Sequence, residues 1–199
     1  MNGNNGETDM NLQKQLFEGE RIRLASLDLE KDAEIESKWT QDAGYLRLLD
    51  PSPARPRSPL LIKKSYEELE KRAEEKGDHF YFTIRLREED SMIGFARLYG
   101  IHWPIPFALI QLGIGEEGCR GRRYGSEALE LLLGYAFQEL RLFSVGAHVP
   151  EYNPVALHLF EKAGFVQEAR LRQSLFRQGR RWDMILFGLL EEEWRVNHG

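Results

Sequence analysis

Three consecutive segments of strand-forming residues, at 79–87, 92–101 and 107–114, constrain the fold of this chain more than any other feature. Each is rich in the β-branched and aromatic residues that strands favour. Only short turn-like segments, at 88–91 and 103–106, separate them. The middle of the chain is therefore predicted to form an antiparallel meander.

The pattern changes in the second half, where helical segments alternate with strands. This order predicts an α/β (α+β) fold with a mixed sheet covered by helices. The predicted strands lie at 20–27, 79–87, 92–101, 107–114, 142–149, 165–176 and 182–189. The predicted helices lie at 28–42, 45–49, 61–76, 125–140 and 153–163.

Composition bounds the class of protein. With 199 residues, 42% of them hydrophobic, the chain can bury the core of one domain, predicted at 17–199 after a polar, flexible tail at 1–16. It has no apolar run of about 18 residues and no signal-like N-terminus, so a cytoplasmic protein without membrane contact is expected. The formal net charge of -5 argues against general binding to nucleic acid.

The one cysteine, Cys119, excludes an internal disulfide. No cysteine–histidine cluster has the spacing of zinc ligands, so no metal is expected. Nothing near Cys119 in the sequence resembles a base that would activate its thiol. Cys119 is therefore interpreted as incidental rather than nucleophilic.

A glycine- and arginine-rich segment, GEEGCRGRRYGS, connects the strand at 107–114 to the helix that follows. Main-chain amides of such a loop and of the first helical turn can surround a phosphate, and the helix dipole favours its charge. Three arginines add positive charge, and two glycines permit a close approach. These residues are Arg120, Arg122, Arg123, Gly121 and Gly125. The alternative is that the glycines only turn the chain and the arginines are solvated.

A second glycine pattern, at 113–118, matches G-x-G-x-x-G after a strand. Glu116 and Glu117 would stand where a pyrophosphate must lie, and the helix begins only near Ser126. The match is therefore interpreted as accidental, and no Walker loop follows it.

The segment Arg120–Gly125, RGRRYG, resembles the pyrophosphate loop of the GNAT N-acetyltransferases, Gln/Arg-x-x-Gly-x-Gly/Ala, with Arg123 in the place of the central glycine. The resemblance implies the GNAT fold: a mostly antiparallel seven-stranded sheet, helices on both faces and two splayed central parallel strands. It also implies acetyl-CoA as cosubstrate. The implied pyrophosphate contacts are Arg120, Gly121, Arg122, Arg123, Tyr124, Gly125 and Ser126.

The segment at 153–165, NPVALHLFEKAGF, resembles the second cofactor segment of the same family. The family implies that Asn153 contacts the pantetheine arm and that Phe160 lies beside the cofactor. Asn153 is equally well placed as an N-cap, with Pro154 in the first helical position, and both interpretations stay open. The segment 179–190 resembles the closing strand of the branch that acetylates protein N-termini and small amines.

The resemblance implies that an amine attacks the thioester directly within a ternary complex. Both reactants would bind in a gap between the strands at 107–114 and 142–149, which supplies orientation. A free main-chain N–H near Ile114 would polarise the thioester carbonyl.

Proton transfer is predicted to differ from that of many relatives. Many relatives carry a glutamate on the first gap strand, whose only polar side chain here is Gln111. Many also place a tyrosine, as the acid for the thiolate, where this chain has Phe160. His148, near the end of the second strand, is the candidate base. Tyr152 and Ser144 are weaker candidates, and a structural role for His148 is the alternative.

The acceptor amine is expected to be selected by the proline-rich loop at 50–59, the helix before it and a final hairpin near 178–179. Arg55 and Arg57 in that loop would suit an acceptor with a carboxylate, unless they are merely solvated. An active enzyme could acetylate a protein N-terminus, an amino-acid derivative, a polyamine or a drug. It is expected to be a monomer or a homodimer. The alternatives are an acyl-CoA-binding module without turnover and, on the accidental glycine pattern alone, a dinucleotide-binding protein.

Overall fold

One sheet of seven strands organises the computed structural model, which describes residues 15–198. The predicted tail at 1–16 lies almost wholly outside these residues. The strands are β1 (Ile22–Ala25), β2 (His79–Leu86), β3 (Met92–His102), β4 (Phe107–Ile114), β5 (Ser144–Pro150), β6 (Val166–Arg177) and β7 (Arg180–Leu190). Their order in the sheet is β1-β2-β3-β4-β5-β7-β6.

Strands β4 and β5 are the parallel pair, and the other neighbours are antiparallel. Their pairing covers Phe107 with Ser144, Ala108 with Val145 and Leu109 with Gly146, and it stops there. Beyond Leu109 the two strands separate and leave a gap. The predicted mixed, mostly antiparallel sheet with two splayed central strands is confirmed.

The helices are α1 (Lys31–Trp39), α2 (Ala43–Leu49), α3 (Pro59–Lys76), α4 (Tyr124–Gly134), α5 (Pro154–Lys162) and α6 (Glu191–His198). Between β4 and α4 lies a short 3₁₀ turn at Glu117–Cys119, and α4 continues as a π-helical turn at Tyr135–Glu139. No helix in the described part of the chain has the length and apolar character needed to cross a bilayer.

Alternation along β2 divides the apolar residues between the two faces of the sheet. Phe80 and Phe82 pack into the large core under α4, whereas Tyr81 packs with Ile62 and Tyr66 of α3. The first face is covered by α4, α5 and α6, and the second by α1, α2 and α3. Helices therefore lie on both faces, as predicted.

Several helix boundaries differ from the prediction by a few residues, most of all in α1, which was predicted at 28–42 and extends over Lys31–Trp39. The helix predicted at 125–140 begins one residue earlier, and its last turn widens because the Leu140 N–H donates to the Tyr135 carbonyl at 3.1 Å, five residues back. Helix α6 was not predicted, and Trp194 is its one buried side chain among those described. Trp194 contacts Phe137 with ring centroids 5.4 Å apart, which anchors α6 on the core.

Candidate active site

The glycine- and arginine-rich loop runs from the end of β4 to the first residue of α4. Gly121 and Arg123 have positive φ angles, 73° and 67°, so the chain turns through the left-handed region twice before the helix begins. The left-handed conformation costs a non-glycine residue about 1 kcal/mol. Arg123 adopts it as the N-cap of α4.

Six successive main-chain amides of this loop, from Gly121 to Ser126, have no hydrogen-bond acceptor among the described residues. The first helical hydrogen bond is donated by Glu127 to the Arg123 carbonyl, at 3.2 Å, and no side chain caps the helix. Unpaired amides at a helix N-terminus attract an anion because the helix dipole adds to their partial charges. The loop thus offers a row of unpaired donors at the N-terminus of α4.

Arg122 and Arg123 are exposed and form no salt bridge with a described residue. A third arginine, Arg21, lies beside them and was not predicted, because about 100 residues separate it from the loop in the sequence. Its Nη1 donates to the Arg122 carbonyl at 3.0 Å, and its guanidinium lies 4.9 Å from the centre of the Tyr124 ring. Its own charge is paired with Glu127 at 3.1 Å, so Arg21 stabilises the loop rather than adding a free cation.

Arg120, predicted as a pyrophosphate contact, is committed to other partners in the structure. Its Nη1 donates to Asp42 at 2.8 Å, while Nε and Nη2 donate to the carbonyls of Ile114 and Gly115 at 3.1 and 2.7 Å. The Tyr45 N–H, with Arg120 as the next cause, holds the pKa of the Asp42 carboxyl below its usual value. Arg120 therefore joins the start of the loop to the N-terminus of α2.

The main-chain N–H of Ile114 faces the gap between β4 and β5. Gly94 and Ile114 are cross-strand partners, and the Gly115 N–H donates to the Ile93 carbonyl at 2.9 Å. Gly94 and Ile114 are thus a non-hydrogen-bonded pair, in which both N–H groups point away from the partner strand. The Ile114 N–H therefore points away from β3, toward the gap.

His148 lies on the same face of the sheet as Gln111, across the gap. The register pairs Leu109 with Gly146, and two residues further along each strand lie Gln111 and His148. His148 is exposed, and its ring makes no hydrogen bond to a described residue. The geometry therefore leaves it free to meet a ligand in the gap.

The other proton-transfer candidates are less available. Tyr152 donates its hydroxyl to the Arg47 carbonyl at 3.0 Å, and Ser144 lies at the closed end of the gap, opposite Phe107. Burial, with Glu116 as a second cause, raises the pKa of the Cys119 thiol, which keeps it protonated. Phe160 is buried against Phe165, with ring centroids 5.0 Å apart.

Asn153 is an N-cap, as one of its two interpretations required. Its Oδ1 accepts from the Ala156 N–H at 3.1 Å. Its Nδ2 donates to the Leu48 carbonyl at 3.2 Å, which fastens α5 to the end of α2. Contact with a cofactor would require Nδ2 to exchange this partner.

A cavity of about 550 Å³ lies on the α1–α3 side of the sheet and reaches β4 at Gln111. Helix α2 sits directly on β4, since a Cβ at Gly113 would come within 2.9 Å of the Tyr45 hydroxyl. That hydroxyl is buried without a described partner, and burial raises the Tyr45 pKa well above its usual value, so it stays neutral. Gln111 itself donates to the Leu49 carbonyl at 2.8 Å. We refer to this space as the acceptor cavity.

Two of the three predicted acceptor-binding segments, the proline-rich loop and α2, line this cavity, and the third, the final hairpin, contacts the loop. Its walls include 52–55 of the proline-rich loop and Arg57. Arg177, next to the final hairpin turn, donates to the Ser52 carbonyl at 2.6 Å and so ties the hairpin to the loop. Arg57 is not merely solvated, because its Nη2 donates to the Leu61 carbonyl at 3.0 Å and to Ser65.

Sequence reasoning missed a carboxylate in the same cavity. Glu36 of α1 accepts hydrogen bonds from the hydroxyls of Tyr66 and Tyr81. These residues come from three separate elements, and only the folded chain brings them together. Among residues 15–198, no three histidine, cysteine or carboxylate side chains are grouped so as to hold a metal ion.

The glycine pattern at 113–118 forms no dinucleotide site. Its glycines end β4 and enter the 3₁₀ turn, and α4 begins six residues later, at Tyr124. No helix N-terminus faces them, which confirms the interpretation of the pattern as accidental.

Comparison with known proteins agrees with this arrangement. The family profile described as "Acetyltransferase (GNAT) domain" matches residues 21–166. The SPbeta prophage-derived uncharacterized N-acetyltransferase YokL of Bacillus subtilis (strain 168) is 36% identical over 83 residues, 42% of this chain and 47% of that relative, so the match spans about half its length. Spermidine N(1)-acetyltransferase of Vibrio cholerae serotype O1 is 27% identical over 138 residues, 67% of this chain and 79% of that relative.

A similar fold is also found among solved structures. Spermidine N-acetyltransferase from Vibrio cholerae, in complex with CoA and spermine, superposes with a TM-score of 0.75 and 22% identity, over 87% of this chain and 98% of that one. At this identity the likeness concerns the fold. The family profile covers well over half of the sequence, and this chain belongs to the GNAT family of acetyltransferases.

Proposed function

We propose that this N-acetyltransferase takes the acetyl group of acetyl-CoA and transfers it to a primary amine, which attacks directly within a ternary complex. The observation that carries the proposal is the row of six unpaired amides from Gly121 to Ser126 beside the free charges of Arg122 and Arg123. Such a row is a ready site for a pyrophosphate. A bound acyl-CoA would supply the activated acetyl group as a thioester.

In this proposal, one set of residues binds acetyl-CoA and another accepts the proton of the acceptor amine. The loop amides and Arg122 and Arg123 hold the pyrophosphate, and the Ile114 N–H donates to the thioester carbonyl. His148 accepts a proton from the ammonium of the acceptor, directly or through water. Asn153 would contact the pantetheine arm by exchanging the Leu48 carbonyl for the cofactor, and Phe160 would lie beside that arm.

Phe160 has no hydroxyl and so cannot donate a proton to the leaving thiolate. This motivates the second candidate, an acyl-CoA-binding module without turnover. We favour turnover because a coenzyme A thiolate leaves readily and water can protonate it. General acid–base catalysis by a side chain typically contributes about 10²–10⁴-fold, so its loss slows a reaction without stopping it. We also propose, as predicted from the sequence, that the protein is cytoplasmic and is a monomer or a homodimer.

Release of free thiol from acetyl-CoA, measured with a panel of amines, tests the proposed function. We expect at least one class among peptide N-termini, amino-acid derivatives, polyamines and aminoglycosides to accelerate release, with the acetylated amine detected by mass spectrometry. Tight binding of acetyl-CoA without release for any amine would instead support the binding module. Heat protection by NAD equal to that by acetyl-CoA would contradict both.

Replacing Gly125 by proline removes one N–H donor from the amide row and so tests whether that donor binds the pyrophosphate. Proline removes the N–H yet is tolerated in the first turn of a helix, while Gly125→Ala keeps the N–H. A Cβ at this position meets Leu112 at 3.7 Å, an ordinary contact. A hydrogen bond to a charged group is worth about 1.5 kcal/mol, so we expect Gly125→Pro to raise the Kd for coenzyme A about tenfold relative to Gly125→Ala, by calorimetry. Equal affinities would remove the Gly125 amide from the site.

A further inference from the structure

Arg97 is the charged side chain of the acceptor cavity that stands nearest to β4. On the floor of the cavity, Tyr81 of β2 pairs with Arg97 of β3, and Arg97 pairs with Gln111 of β4. Neighbouring strands lie about 4.8 Å apart, so Arg97 is one strand from β4 and Tyr81 is two. Glu36, held through Tyr81, is correspondingly farther from the gap.

The guanidinium of Arg97 has no hydrogen-bond acceptor in the described part of the chain. It lies over the Tyr99 ring, 4.9 Å from the centroid, and its Nε is buried without a partner. Such an unpaired buried donor is unfavourable unless a ligand supplies an acceptor. The structure holds Arg97 in place by packing alone and leaves its donors unused.

The other arginines of the cavity differ from Arg97. Arg57 is engaged with Leu61 and Ser65, and Arg72 forms a bidentate pair with Asp78, with Nη2 to Oδ2 at 2.8 Å. Arg55 lies exposed on the proline-rich loop. Arg97 is thus the arginine that the sheet itself presents to the cavity.

Three carboxylates also line the cavity, and none forms a salt bridge with Arg97. Glu36 is hydrogen-bonded by two tyrosine hydroxyls, and Asp50 accepts from the Ser52 N–H at 2.6 Å. Glu68 is exposed on α3. These carboxylates lie on the helices and the loop, whereas the charge on the floor beside β4 is positive.

We infer that Arg97 binds a carboxylate of the acceptor, so that the preferred acceptor is an amine that carries a carboxylate a few bonds from its nitrogen. This inference rests on the proposed acetyl transfer to an amine. A guanidinium matches a carboxylate with two parallel hydrogen bonds, and the pair is strengthened in a cavity that excludes part of the water.

Three amines of equal chain length test this inference: an ω-amino acid, the matching alkylamine and the matching diamine. Initial rates of thiol release with acetyl-CoA give kcat/KM for each. For the wild-type chain we expect the ω-amino acid to exceed the alkylamine by about 10- to 100-fold, and the diamine to rank last because its distal charge meets Arg97. In Arg97→Gln this preference should fall to within about threefold, and Arg97→Lys should keep part of it.

Arg72→Gln is the matched control, since Arg72 lines the same cavity but is paired with Asp78. It should keep the preference of the wild type, and circular dichroism should show all variants folded. A preference for the diamine, or a carboxylate preference that survives Arg97→Gln, would overturn the role of Arg97 while the acetyl transfer stands. If none of the three amines releases thiol but others do, the carboxylate inference fails, and if no amine does, the proposed function fails first.

Discussion

Replacing Arg85 by leucine should lower the free energy of unfolding by about 3–5 kcal/mol. Its Nη2 donates to Asp32 at 2.5 Å, and the Asp32 side chain is 0% exposed. The other Asp32 oxygen accepts from the Asp28 N–H at 2.8 Å, which fixes the start of α1 on the sheet. Without Arg85 the carboxylate stays buried and uncompensated, and chemical denaturation monitored by circular dichroism measures the loss.

Arg23→Leu provides the matched control for this prediction. Arg23 is the cross-strand partner of Arg85, but its pair with Asp90, at 2.6 Å, is exposed to solvent. An exposed pair contributes at most about 1 kcal/mol, so this variant should be nearly as stable as the wild type. The double variant Asp32→Asn with Arg85→Leu should lose less than the sum of the single losses. Similar losses in Arg85→Leu and Arg23→Leu would contradict the proposed burial penalty.

Replacing His148 by glutamine should lower kcat/KM for the amine about 100-fold near neutral pH. Glutamine has a similar size and can form hydrogen bonds, but it cannot take up a proton. Because His148 is exposed and lies across the gap from Gln111, the loss should fall on the amine reaction, with the KM for acetyl-CoA unchanged. Steady-state rates of thiol release, with each substrate varied in turn, measure both quantities.

His158→Gln is the control for this second prediction. His158 is also exposed, but it lies on α5, outside the gap. It should react at the rate of the wild type. A His148→Gln enzyme as fast as the His158→Gln enzyme would assign His148 a structural role, and proton transfer would then proceed through water.

The parts of the fold that the sequence predicts well are those with local signals. The bounds of β4 were predicted without error, because an apolar run there ends in a glycine-rich loop. The N-cap at Asn153 could be predicted for the same reason, because a proline and then an apolar helical stripe follow it in the sequence. The unpaired amides before α4 also follow from local sequence, since neither Arg123 nor Tyr124 is a capping residue.

The parts that the sequence could not predict depend on contacts between distant segments. Arg120 forms a salt bridge with Asp42, 78 residues away in the sequence. This pairing directs the Arg120 guanidinium away from the loop amides. Glu36 and Arg97 carry no motif, and their place in the acceptor cavity depends on helix α1 packing over strands β2 and β3. The π-helical turn after Gly134, whose Tyr135 and Phe137 side chains are buried in the core, likewise had no local signal in the sequence.

Amide chemical shifts of the ¹⁵N-labelled chain during titration with coenzyme A test the central claim most directly. If main-chain donors grip the pyrophosphate, the resonances of Gly121 to Ser126 should move with one shared, saturable binding curve. Pantetheine, which lacks the pyrophosphate, should leave them in place. Saturable binding of coenzyme A with these six resonances unmoved, or moved equally by pantetheine, would contradict the account.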